Sequence, residues 1–86
     1  MPTISAFFGI LIRMFYDDHA PPHFHAEYSG ERGSFDFEGN LIAGQVRSRT
    51  ALKLLREWAV LHRKELEEDW RRSEQGLPLD YIAPLE

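Results

Sequence analysis

The chain has 86 residues, 43% of them hydrophobic and 28% charged, the composition of one globular domain over residues 1–86 with a single modest core rather than of a disordered tail. A formal net charge of −4 disfavours a general salt-driven grip on nucleic acid, while leaving room for a local basic patch. With no cysteine, a disulfide framework and a thiolate zinc site are both excluded, so any metal must be held by nitrogen and oxygen.

At the front, Met1-Pro2-Thr3-Ile4-Ser5 has no basic region leading into an apolar stretch, and the apolar run Ala6 to Ile12 is too short to span a bilayer. A cytoplasmic location with no membrane association is the resulting expectation. From Ile4 to Tyr16 the chain is rich in Ile, Phe, Leu and Tyr, with Arg13 as its only charge, and it reads as one central strand. Phe8, Ile10, Ile12 and Met14 share one face of that strand, and Phe7, Leu11, Arg13 and Phe15 the other. Asp17-Asp18-His19-Ala20-Pro21-Pro22 then turns the chain, because proline removes ladder donors and restricts the residue before it. His23 to Tyr28 alternates cleanly: Phe24, Ala26 and Tyr28 face the core, and His23, His25 and Glu27 face away.

Gly30 and Gly33 bracket a turn into a third strand, Ser34 to Glu38, with Phe35 and Phe37 inward. Gly39-Asn40 supplies a second turn, after which Leu41 to Val46 returns as an edge strand. At Ser48 the period changes. Ser48 is a good N-cap, and Ala51, Leu54, Leu55, Trp58, Leu61, His62, Leu66 and Trp70 recur at three- and four-residue steps, which predicts an amphipathic helix with Trp58 and Trp70 in the core. The helix runs unbroken to about Glu74 or bends near His62, and Gly76 with Pro78 stops it. The apolar Leu77 to Glu86 segment is expected to lie against the domain. The fold class is therefore α+β: a small antiparallel β-meander of three or four strands packed against a C-terminal helix or helix pair.

The most chemically pointed segment is Asp17 to Tyr28, which holds three of the four histidines. His23 and His25, two apart on a strand, have Cα atoms roughly 6.5 to 7 Å apart and project from one face, a spacing that lets two imidazoles converge on one ion. His19 or Glu27 would complete three protein ligands and leave a position open for water, as in catalytic zinc sites; zinc, copper, nickel and iron all suit imidazole. A second reading needs no metal. One imidazole takes a proton and another donates one, Asp17 or Asp18 orients a ring, and Arg13 or Arg32 stabilises an anion, which suits phosphodiester cleavage with a 2′-hydroxyl nucleophile. Against both stands a structural role, with the histidines as satisfied hydrogen-bonding groups and Arg13 paired with Asp17, Glu27 or Asp36. On this reading the chain is a non-enzymatic binding module, docking a partner or a second copy through its tail or sheet edge. Metal carriage is a further option. His62 belongs to the core or a helix boundary, and the mixed charges of the helix read as a solvated face.

The chain also resembles a small bacterial family, the domain of unknown function 4160. The likeness rests on Met1-Pro2-Thr3-Ile4, Phe8-Gly9-Ile10, Asp18-His19, Pro21-Pro22-His23-Phe24-His25, Tyr28 and Gly30. Further on it rests on Leu52-Lys53-Leu54, Glu57-Trp58, Leu61-His62, Glu65-Leu66, Trp70, Ile82 and Pro84-Leu85. One departure is Val46-Arg47-Ser48, where family members usually read Leu-Pro and a basic residue. The resemblance implies a place in a two-gene module of toxin and antitoxin type. The partner protein would be of the domain of unknown function 2442 type, and a nuclease-like role on RNA would fall to this chain.

Overall fold

The computed structural model describes residues 2–86, so Met1 of the family likeness lies outside the described residues. Five strands precede two helices: β1 (Thr3–Phe7), β2 (Ile10–Arg13), β3 (Phe24–Tyr28), β4 (Glu31–Phe35), β5 (Leu41–Gly44), α1 (Arg49–Leu61) and α2 (Arg63–Gln75). The strands pair in chain order, each antiparallel to the last. The α+β meander expected from the sequence is present, with one strand more than expected.

The extra strand comes from Ile4–Tyr16, which is a hairpin and not one strand. Phe8 and Gly9 have φ of 49° and 82°, so a two-residue turn with positive φ at both central positions closes the β1–β2 pair, as right-twisted hairpins require. Phe8, assigned above to the face of Ile10, Ile12 and Met14, therefore sits at the turn tip, 61% exposed, while those three are fully buried. Ser29-Gly30 repeats the device between β3 and β4, with φ of 52° and 80°. The third predicted strand consequently begins three residues early, at Glu31, and ends at Phe35. Asp36 then holds the next turn, its Oδ1 accepting from the amides of Glu38 and Asn40 at 2.9 Å each. The edge strand β5 stops at Gly44, short of Val46.

The helices cover one face of the sheet. Ser48 caps α1, its Oγ accepting from the Ala51 amide at 3.1 Å, an interaction worth about 1 kcal/mol. The helical stretch is a pair joined at His62. The His62 amide donates to the Trp58 carbonyl and its own carbonyl accepts from Leu66 N, both at 3.0 Å, so helical bonding continues on either side of the break. Ala51, Leu55, Trp58 and Ala59 of α1 and Leu66, Asp69, Trp70 and Ser73 of α2 are buried. Leu61 falls on the outer side of α1 and is 66% exposed, against its expected place in the stripe. Gly76, at φ 70°, ends α2, a left-handed position that suits glycine.

Trp58 is the centre of the core. Its ring lies 5.6 Å from both Phe7 and Phe24, and its Nε1 donates to the Ala83 carbonyl at 3.0 Å. That bond, with Ile82 N donating to Ile4 O at 2.7 Å, lays the tail along the domain as expected. Asp69 pins the same tail by accepting from the Asp80 amide at 2.9 Å, while its other oxygen is buried with no hydrogen-bond partner among the described residues. Burial pushes the Asp69 carboxyl up to about 6, more than the Asp80 amide pulls it down.

Candidate functional site

The loop between β2 and β3 carries the histidines to one end of the sheet. Asp17 adopts φ 53° and its amide donates to the Ser73 carbonyl at the end of α2, at 3.4 Å. The left-handed turn leaves the Asp17 side chain exposed and brings that of Asp18 inward. The chain then passes the cis Ala20–Pro21 bond and enters β3 at Phe24.

Asp18 Oδ2 stands between two imidazoles, 3.0 Å from His23 Nε2 and 2.9 Å from His25 Nε2. Each ring is held from behind by its other nitrogen. His23 Nδ1 is 2.7 Å from the Pro21 carbonyl, and His25 Nδ1 is 3.3 Å from the Ser34 hydroxyl. His23 is 2% exposed, its ring 5.4 Å from Trp70 and 5.0 Å from that of His25. His25 meets Phe15 edge-on at 4.5 Å. One ligand atom from each of Asp18, His23 and His25 lies within 4.8 Å of the others.

The Pro21 carbonyl can only accept, so His23 Nδ1 carries a proton and donates it. His23 Nε2 then faces a carboxylate oxygen, which also only accepts. Two lone pairs 3.0 Å apart repel, so Nε2 either carries a second proton or shares a cation with Asp18. His25 is not forced in the same way, because the Ser34 hydroxyl can donate or accept. Burial pushes the Asp18 carboxyl up, but the hydrogen bonds from His25 and the His19 amide and the two nearby imidazoles outweigh it. Asp18 therefore sits below its ordinary range, as an anion.

The remaining expected site residues separate from this centre. His23 precedes the regular part of β3, so it turns toward Trp70 and does not line one side with His25 and Glu27. The carboxylate on the imidazoles belongs to Asp18, in place of Asp17 or Glu27. Glu27 accepts from Arg13 at 3.0 Å and lies 3.4 Å from Arg32, a pairing on the open face foreseen for Arg13. His19 stacks on His23 at 5.2 Å, but its side chain is 83% exposed and its Nε2 is 3.7 Å from Asp18 Oδ1. It is a neighbour of the centre, outside the convergent set. His62 is the helix boundary, its Nδ1 2.6 Å from Glu65 Oε1. Two supports escaped the sequence reading: Ser34, the cross-strand partner of His25, and Phe15. Alternation on β4 opposite the buried Phe35 could have found Ser34.

Beside the centre, the half-exposed face of the sheet holds a concavity of about 290 Å³ lined by Arg13, Phe15, His25, Glu27 and Arg32. Arg13 is the cross-strand neighbour of His25 on β2. A five-stranded meander covered on one face by two helices, with two imidazoles converging on one carboxylate at its end, defines a small α+β protein with an inbuilt candidate metal or acid–base site. The chain belongs to the family described as Domain of unknown function (DUF4160), whose model matches residues 9–71. That span includes Asp18, His23 and His25. Neither a curated protein nor a solved structure matches the chain.

Proposed function

We propose that Asp18, His23 and His25 hold one divalent cation, zinc being the natural trial ion. We propose further that the open side of this centre, next to Arg13 and Arg32, hydrolyses phosphodiesters. The observation that supports the cation is His23 Nε2 facing Asp18 Oδ2 at 3.0 Å while its Nδ1 is committed as donor to the Pro21 carbonyl, so that a proton or a cation must lie between the two. Two ligands, each about 2.0–2.2 Å from one tetrahedral ion, lie about 3.3–3.6 Å from each other, so the 3.0 and 2.9 Å separations here need to open by only about half an ångström to admit one. The bonds to Pro21 and Ser34 are the outer partners that fix the tautomer and orientation of metal-ligating histidines. A bound cation supplies an activated water and polarises a phosphoryl oxygen. Arg13 and Arg32 add positive charge beside it, offset in part by Glu27.

RNA as the substrate and a neighbouring gene's product as the controlling partner, in a module of toxin and antitoxin type, form the biological setting of this proposal. They come from the family resemblance. The metal-free alternative uses the same residues, with His23 doubly protonated as acid and His25 as base. Purified protein is stripped with chelator, reloaded with zinc, manganese or nothing, and assayed on a single-stranded RNA and on its all-deoxy counterpart. Cleavage restored by metal and lost in Asp18→Asn supports metal-assisted hydrolysis. Cleavage of RNA alone, indifferent to chelator, favours the metal-free acid–base pair. No cleavage of either substrate by metal-loaded protein removes the hydrolytic reading.

A further inference from the structure

Helix α1 turns Ala51, Leu55, Trp58 and Ala59 toward the sheet. Around its solvent side, the exposed Val60 and Leu61 and the partly buried Leu52, joined by the partly buried Leu85 of the tail, line a groove of about 790 Å³. Val60 and Leu61 are each 66% exposed, more than any other large hydrophobic side chain among the described residues. Scattered apolar side chains on a surface are ordinary, but apolar side chains that line one groove together mark a contact site.

The charges around this groove differ from those elsewhere. Six of the ten lysines and arginines stand within ion-pair distance of a carboxylate, as Arg13 does with Glu27, Arg47 with Glu31 and Arg63 with Glu67. Three of the other four, Arg49, Lys53 and Arg56, border the groove, and Glu57 is the single acid there. A chain of net charge −4 thus gathers three of the four cations that have no ion-pair partner among the described residues around one groove.

We propose that this groove docks an acidic amphipathic helix of a partner protein. The cations select the sign of the occupant, and the shape selects its form. Arg49 to Leu61 spans twelve steps of about 1.5 Å, or about 18 Å, which is three helical turns and longer than a compact small molecule fills. Helix-in-groove recognition has this form, with apolar anchors at three- and four-residue spacing. A second copy of the chain is a poor occupant. A two-fold contact presents the same patch to itself, setting three cations against three with one Glu57 from each side. The surface is separate from Asp18, His23 and His25, so the docking site stands or falls independently of the metal centre.

The test uses two labelled three-turn helical peptides with the same leucine stripe, one with glutamate and one with lysine on its flanks, titrated into the full chain and followed by fluorescence anisotropy. The glutamate peptide is expected to bind in the micromolar range, weaken as salt rises, and bind at least about tenfold tighter than the lysine peptide. Val60→Asp and Leu61→Asp, at exposed positions, are expected to abolish binding with unchanged circular dichroism and melting. Lys53→Glu with Arg56→Glu should reverse the peptide preference. Equal binding of both peptides overturns the proposal, as does no binding of the glutamate peptide at millimolar concentration. Dimerisation that Val60→Asp abolishes overturns it in favour of a second copy.

Discussion

Strand β3 presents two faces that solve different physical problems. Phe24 and Ala26 point into the core, where Phe24 stacks on Phe35 at 5.6 Å and meets Trp58 edge-on. His25 and Glu27 point the other way and are satisfied one by one, His25 by Asp18 and Ser34, Glu27 by Arg13. The inner face is held by apolar area, with no orientation required of any single atom. The outer face and the adjoining His23 are held by directed bonds, so small changes there alter chemistry before they alter stability. One face should therefore report on the melt and the other on ligand affinity.

The largest effect expected is on the inner face. Trp58→Ala empties the centre of the core and should cost about 3–5 kcal/mol, read from urea or thermal unfolding. That is a large share of the stability of a chain this short. Asp69→Asn should move stability the opposite way. The Asp69 carboxyl is raised from 3.8 to about 6 in the folded protein, so folding is favoured while it is protonated. That advantage is complete below about pH 4 and is lost as the pH rises through about 6. Asparagine keeps the bond from the Asp80 amide and never charges, so the variant should match the parent at pH 4 and exceed it by up to about 3 kcal/mol at pH 7. Equal pH profiles for the two proteins would remove this account of Asp69.

On the outer face, zinc at about 100 times its Kd should stabilise the parent by about 2.7 kcal/mol, seen as a rise in Tm. Asp18→Asn and His25→Ala should lose that rise with little change in the metal-free melt, whereas His23→Ala, in a buried position, should lower both. Ser34→Ala, which removes the group behind His25 Nδ1, should weaken zinc binding about tenfold by calorimetry. The smallest effects belong to Glu27→Gln and Asp17→Ala. Both should leave zinc affinity unchanged, and the half-exposed Arg13–Glu27 pair should contribute no more than about 1 kcal/mol. A loss of zinc affinity in Glu27→Gln would erase the distinction between the imidazole centre and the arginine pair.

Alternation at His23–Tyr28 placed Phe24, Ala26, His25 and Glu27 on their proper faces, and the shift to helical spacing at Ser48 located the N-cap. Both signals are local and periodic. The β1–β2 turn was hidden because Phe8 is apolar, so only Gly9 marked a reversal inside a continuous hydrophobic run. The break at His62 is not marked in the sequence because the buried stripe continues across it at three- and four-residue steps. The site was half legible. His23 and His25 were named, but a choice between the adjacent carboxylates Asp17 and Asp18 depends on one left-handed backbone angle. His23 also leaves the strand register because β3 begins only at Phe24. In sequence, the groove on α1 is indistinguishable from an ordinary mixed-charge face, since which lysines and arginines find partners is a property of three-dimensional proximity.

An anomalous difference map from a crystal grown with stoichiometric zinc separates a cation at Asp18, His23 and His25 from a doubly protonated His23. A single peak about 2 Å from His23 Nε2, His25 Nε2 and an Asp18 carboxylate oxygen is the expected result, with the His23 Nδ1 bond to Pro21 retained. A map with no peak at this cluster, and His23 Nε2 still hydrogen-bonded directly to Asp18 in the presence of zinc, would contradict the metal centre.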